Sequence, residues 1–262
     1  MSTTLQFYRA GDSWVHRLNP VTKLAFVAAV TIAAFGVERL WWPAALFLLL
    51  EVPGAVIAGV AGRFVRMVLG FFAPFLVILF LLQGLTYPEP GTVLLHLGPL
   101  EVKTEGLVFA GTTALRLLVM VAAFVLLLLT THPGTLMSAM QQAGLPPKIA
   151  YVVSATLQII PSFQARANAI MQAQQARGLE VRAGGAAARV RRLLPLMGPL
   201  LLGALTDVEN RSIAMESRAF GRPVRPTAYT VVPDSAAQRA ARWAMLALAV
   251  LVIVLNTLGV FS

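Results

Sequence analysis

An all-α, polytopic membrane protein is the fold class this sequence predicts, with about five transmembrane helices and long amphipathic helices on one side of the bilayer. Three observations carry that prediction. Of 262 residues, 58% are hydrophobic and only 12% charged, with a mean hydropathy of +0.76, which leaves too little polar surface for a soluble fold of this length. Apolar runs close to the ~20 residues needed to cross hydrocarbon recur along the chain. The basic residues are segregated: Arg9, Arg17 and Lys23 precede the first run, Arg63 and Arg66 follow the second, and thirteen fall between Lys148 and Arg242. Arg39, Lys103 and Arg116 account for the rest.

That asymmetry explains the net charge of +10 as membrane topology, with the N-terminus and the long basic region in the cytosol. Nucleic acid is not implied, since no aromatic and basic residues interleave as single-strand binders require. Cysteine is absent, which excludes disulfides, thiolate metal sites and a cysteine nucleophile. A fairly polar start without a short basic segment or small-residue cleavage site argues against a removed signal peptide.

In chain order, Asn19-Pro20 makes a turn before the first span, expected from Val21 to Trp41, with Trp41 and Trp42 at the interface. Ala44 to Ala61 is the second span, interrupted by Glu51, Pro53 and Gly54. Met67 to Tyr87 is the third, bent at Pro74. Pro88 to Glu105 is a polar connection in which Val93 to Val102 alternates and can form a hairpin. Gly106 to Thr131 is the fourth span and Trp243 to Val260 the last; splitting one broken helix would give a sixth. The expected division is a four-span domain over 1–131, a cytosolic helical domain over 132–242 and a C-terminal transmembrane helix over 243–262.

In the cytosolic region, Pro133 suits a helix start and Gly144-Leu145-Pro146 a stop. A second helix is expected from Pro147 to about Arg177, with an apolar seam at Ile149, Val153, Thr156, Ile160, Phe163, Ala167 and Ile170 and a kink at Pro161. A third, from about Ala186 to Ser217, repeats the seam at Val190, Leu194, Met197, Leu201, Ala204 and Val208. Each long helix ends on an arginine, Arg177 or Arg218, followed by a small residue and then an apolar one. Helix capping by the C-terminal dipole explains either arginine alone. Two of them, each ending a striped helix on the basic side, favour docking into a separate motor protein.

No G-x-x-x-x-G-K-[ST], H-E-x-x-H or G-x-S-x-G pattern occurs, and His16, His96 and His132 are scattered, so neither an enzyme nor a metal site is expected. Glu51 and Arg116 lie inside predicted spans, where ionisable groups are rare. They either pair across the spans, as a relay in a self-contained secondary transporter would, or sit apart with Arg116 snorkelling.

Five stretches together resemble the transmembrane T component of energy-coupling-factor (ECF) transporters. They are Asp12-Ser13-x-x-His16-Arg17-Leu18-Asn19-Pro20-x-x-Lys23-Leu24, Gly98-Pro99-Leu100 to Glu105-Gly106-Leu107, Gly144-Leu145-Pro146, Ile160-Pro161-Ser162 and Gln174-Gln175-Ala176-Arg177-Gly178. The resemblance spans nearly the whole chain. It implies a non-catalytic coupling subunit, without cofactor, in which two Ala-Arg-Gly motifs dock into two ABC-type ATPase subunits while a membrane S component binds a vitamin or metal ion. On this chain the first motif is Ala176, Arg177 and Gly178; the second is Ser217, Arg218 and Ala219, keeping only the arginine. The resemblance also implies an S-component contact, for which the apolar candidates are Met137, Met140, Ile160, Phe163, Met197 and Leu201; the methionines suit a partner that binds and releases. Ordinary helix packing is the competing reading of that stripe.

Overall fold

The computed structural model describes residues 11, 13–86, 92–97, 100–178, 186–220 and 231–259. By internal contacts the chain divides into two units, one built from Gly144–Tyr229 and the other from Leu5–Ala143 together with Thr230–Ser262.

The larger unit begins with a single turn, α1 (Trp14–Arg17), and then α2 (Pro20–Gly36). Asn19 starts α2: its side-chain carbonyl accepts from the Val21 N–H at 2.9 Å, and Pro20 sits where its missing N–H costs nothing. Helix α3 (Trp41–Ile57) carries a π-helical stretch over Phe47–Glu51. Helix α4 (Ala61–Thr86) contains Pro74. Strands β1 (Val93–Leu97) and β2 (Leu100–Lys103) form an antiparallel hairpin in which Val93 faces Lys103 and Leu97 faces Leu100. The expected alternating stretch thus forms a hairpin, with a register shift between Val93 and Leu95. Helices α5 (Thr104–Thr130) and α6 (Pro133–Gln142) follow.

After the smaller unit the chain returns as α9 (Ala236–Thr257). Helices α4, α5 and α9 are each long and apolar enough to cross a membrane, and α2 and α3 are shorter apolar helices. Together they are the expected five apolar segments of a polytopic all-α membrane protein. Helix α5 is the most buried of the long three and forms the centre of the bundle. Ala122, Val125, Leu126 and Leu129 on α5 pack with Val60, Phe64 and Val68, and Val119 packs with Val30 and Ala34 of α2. Small residues set the close approaches, as they must where lipid supplies no hydrophobic drive between helices. Ala29 and Ala33 meet Ala249, and a Cβ on Gly36 would lie 2.8 Å from Ile253 Cγ1. The outward face of α4, with Leu69, Phe71, Val77, Ile78, Leu81 and Leu82, is exposed, as a lipid-facing surface should be.

Several expected boundaries move. The third span starts at Ala61 rather than Met67, so Arg63 and Arg66 lie inside its helix. The first span ends at Gly36, because Val37 is extended (φ −128°, ψ 134°), and Trp41 and Trp42 open the next helix instead. The Trp42 indole N–H still serves α2 by donating to the Ala33 carbonyl at 2.8 Å, one of the acceptors a helix end leaves without a partner. The last helix begins at Ala236, seven residues before the expected Trp243. Its start is marked by Ser235, whose hydroxyl accepts from the Gln238 N–H at 3.3 Å; Ser235-x-x-Gln238 is the sequence form of a capping box.

Lys23 lies in the apolar run of α2 and is buried. Its Nζ donates to the Thr130 carbonyl at 2.8 Å and to Thr131 Oγ1 at 3.2 Å, so the amino group sits on the negative end of α5. The Asn19 N–H donates to Gln238 Oε1 at 2.9 Å, and Asn19 Nδ2 donates to the Pro233 carbonyl at 3.1 Å. The start of α2 is thereby tied to the approach into α9.

The smaller unit is a helix pair, α7 (Pro147–Ala176) and α8 (Ala186–Ser217), at the bounds the sequence predicts. The Tyr151 ring, near the start of α7, lies 5.0 Å from that of Phe220, just past the end of α8. At mid-length Arg166 Nη2 meets Asp207 Oδ2 at 2.8 Å, and Gly203 gives the guanidinium room, since a Cβ there would lie 2.8 Å from Nη1. Both contacts require the helices to run antiparallel.

Candidate functional site: two arginine-tipped helix ends

Arg177 and Arg218 occupy the same place on their helices. Arg177 is the C-cap of α7, and Gly178 after it has φ +89°. Helix α8 ends at Ser217, Arg218 takes the equivalent position, and Ala219 after it has φ +55°. The Gly178 N–H donates to the Gln175 carbonyl at 3.0 Å and the Ala219 N–H to the Glu216 carbonyl at 3.0 Å. At the second end the Phe220 N–H also reaches back to the Met215 carbonyl at 2.9 Å. That set of bonds closes a Schellman motif. Alanine at the small-residue position therefore does not change the backbone: Ala219 adopts the left-handed conformation that Gly178 takes freely, at the cost of a Cβ clash.

Backbone groups alone make these caps. Ala176, Arg177, Gly178, Ser217, Arg218 and Ala219 are all exposed, and among the described residues neither guanidinium has a hydrogen-bond or ion-pair partner. Because α7 and α8 are antiparallel, the two arginines lie at opposite ends of the pair. At a helix rise of ~1.5 Å per residue they stand roughly 40 Å apart.

The apolar candidates divide by exposure. Ile160, Phe163, Met197 and Leu201 are between 39% and 55% exposed, far from the near-complete burial of ordinary core positions. Met137 and Met140, on α6, are half-buried. Among the described side chains of α8 the buried ones are Leu196 and Leu200, one position before Met197 and Leu201, so this described part of the expected seam faces outward. Val190 and Leu194 lie where the side chains are outside the described set.

Glu51 and Arg116 do not pair. Glu51 is fully buried at the end of the π-helical stretch and neither carboxyl oxygen has a hydrogen-bond partner. Arg116 Nη2 donates to the Val37 carbonyl at 3.0 Å, while its Nε is buried without a partner. Arg116 is thus spent on the extended residue that ends α2, and no relay between the two charges exists in this geometry. Sequence reasoning passed over Lys23 as one more basic residue before a span; its position three residues inside the helix that Asn19-Pro20 starts was the available signal.

A family model described as CbiQ, cobalt transport protein, matches residues 11–229. Among relatives, an energy-coupling factor transporter transmembrane protein EcfT of Heliobacterium modesticaldum is 35% identical, over 83% of this chain and 84% of its own. The EcfT of Listeria innocua is 30% identical, over 81% and 83% respectively. A putative ABC transporter ATP-binding protein of Bifidobacterium longum is also 30% identical over 82% of this chain, a match that covers 28% of that protein. The apolar bundle and these matches agree: the chain belongs to the CbiQ family and is a transmembrane component of an ECF transporter.

Proposed function

We propose that this chain is the coupling subunit of an ECF-type ABC importer of a vitamin or transition-metal ion, sited in the bacterial cell membrane with its N-terminus cytosolic. Arg177 and Arg218 each dock into one of two ABC-type ATPase subunits. ATP binding draws the ATPases together, α7 and α8 shift, and a substrate-binding S component resting on Ile160, Phe163, Met197 and Leu201, with Met137 and Met140, reorients. The chain itself catalyses nothing, and substrate selectivity resides in the S component.

One observation carries the reading: two exposed, unpartnered guanidinium groups on matched backbone caps at opposite ends of an antiparallel pair. Capping accounts for the bends but uses neither side chain. Arginine offers a planar fork that holds a carboxylate at two points, which suits a joint under load. The separation of roughly 40 Å leaves room for two partners rather than one. The relative from Bifidobacterium longum supports the ATPase partnership, since most of its length lies outside the match and can account for its ATP-binding name. Co-expression with ATPase subunits tests the proposal: wild type co-purifies with them, and uptake in proteoliposomes requires them. Substrate uptake by the chain alone would instead support a self-contained secondary transporter.

A further inference from the structure

We infer that the membrane unit holds one anionic phospholipid, its phosphate between Arg17 and Lys23 and an acyl chain in the apolar cleft beside them. The site lies at the end of the bundle where α2 begins, α5 ends and α9 begins, the level at which headgroups meet a helical membrane protein. It is independent of the ATPase-docking proposal, since no residue of α7 or α8 takes part.

Two cavities adjoin there. A polar pocket of about 200 Å³ is lined by His16, Arg17, Lys23, Thr131, His132 and Thr135. An apolar cleft of about 680 Å³ is lined by residues including Trp14, Phe26, Leu50, Ile57, Ala241 and Met245. Leu18, Lys23 and Thr130 line both, so the two open onto the same wall.

Among the described residues, the charged side chains that line the polar pocket are Arg17 and Lys23. Among the described residues no Asp or Glu lines either cavity, and the neighbouring Asp234 is held by Arg242 at 2.6 Å. Lys23 is buried yet contacts only the neutral acceptors Thr130 O and Thr131 Oγ1, which leaves one of its three N–H donors and its whole charge without an anion. Arg17 is exposed. Basic pockets between transmembrane helices on the side of the basic loops take anionic headgroups. A free phosphate would fill the polar pocket and leave the apolar cleft empty; a phospholipid occupies both. The Trp14 indole, 69% exposed, is the kind of side chain that sits at headgroup level.

Native mass spectrometry of the full chain, released from nanodiscs with controlled lipid, tests this. Phosphatidylglycerol should be retained in preference to phosphatidylcholine, with one molecule held after the others dissociate. Arg17→Gln should weaken phosphatidylglycerol about fivefold. Ala241→Phe, which fills the cleft from an exposed position, should weaken both lipids. Equal retention of the two lipids in wild type overturns the proposal without reliance on any variant. So does unchanged retention in both variants, or displacement of the lipid by millimolar inorganic phosphate, which would make the pocket a site for free anions.

Discussion

Ala219→Gly isolates the backbone that carries the second arginine. Ala219 holds φ +55° and is exposed, so removing its methyl group loses no packing. The left-handed conformation costs an L-residue about 1–2 kcal/mol, and glycine adopts it freely. Against that, glycine adds about 0.4–1 kcal/mol of conformational entropy to the unfolded chain. The difference is a stabilisation of about 0.5–1 kcal/mol, confined to the end of α8. Hydrogen exchange reads it directly at two amides, Ala219 N–H bonded to the Glu216 carbonyl and Phe220 N–H bonded to the Met215 carbonyl. Protection there should rise about two- to fivefold, while exchange at the middle of α7 stays as in wild type. Ala219→Val should do the reverse, because a β-branched residue fits this region worst. Equal protection in all three proteins would refute the reasoning, since it would mean that the helix end does not hold the left-handed turn in solution.

Two further substitutions follow from the bundle. Asn19→Ala removes the cap on Val21 and the bond to the Pro233 carbonyl, and should lower stability by about 1–2 kcal/mol in detergent; an unchanged melting temperature would contradict the tie between α2 and the entry to α9. Glu51→Leu relieves a buried carboxyl that has no partner and should raise stability by about 1–3 kcal/mol, as followed by thermal denaturation. A lower melting temperature would mean that the carboxyl is bonded in solution.

The helical pair was legible because punctuation and period agree there. Pro147, Gly178 and the seams of fours and threes bound α7 and α8 within a residue of where they lie. The transmembrane segments were legible as apolar runs but not at their edges, since hydropathy changes gradually where a helix enters the headgroups. Side-chain caps mark those edges instead: Asn19 for α2, Ser235 and Gln238 for α9. The fate of Glu51 and Arg116 was not legible, because pairing depends on helix rotation, which a π-helical stretch at Phe47–Glu51 changes with no signal in the apolar pattern. At the arginine ends the sequence showed the substitution of Gly by Ala but not its outcome. A hydrogen-bonded turn closed by Phe220, against Tyr151, holds Ala219 in a conformation that propensity alone disfavours.

We propose that force from ATPase subunits enters through Arg177 and Arg218, and charge reversal at both tests this most directly. The double variant Arg177→Glu and Arg218→Glu, co-expressed with the ATPase subunits and an S component, should insert and fold as wild type does. Breaking an arginine–carboxylate pair across an interface typically costs about 2–5 kcal/mol, so ATPase co-purification and ATP-dependent uptake should both be lost. Wild-type levels of both in the double variant would contradict the account.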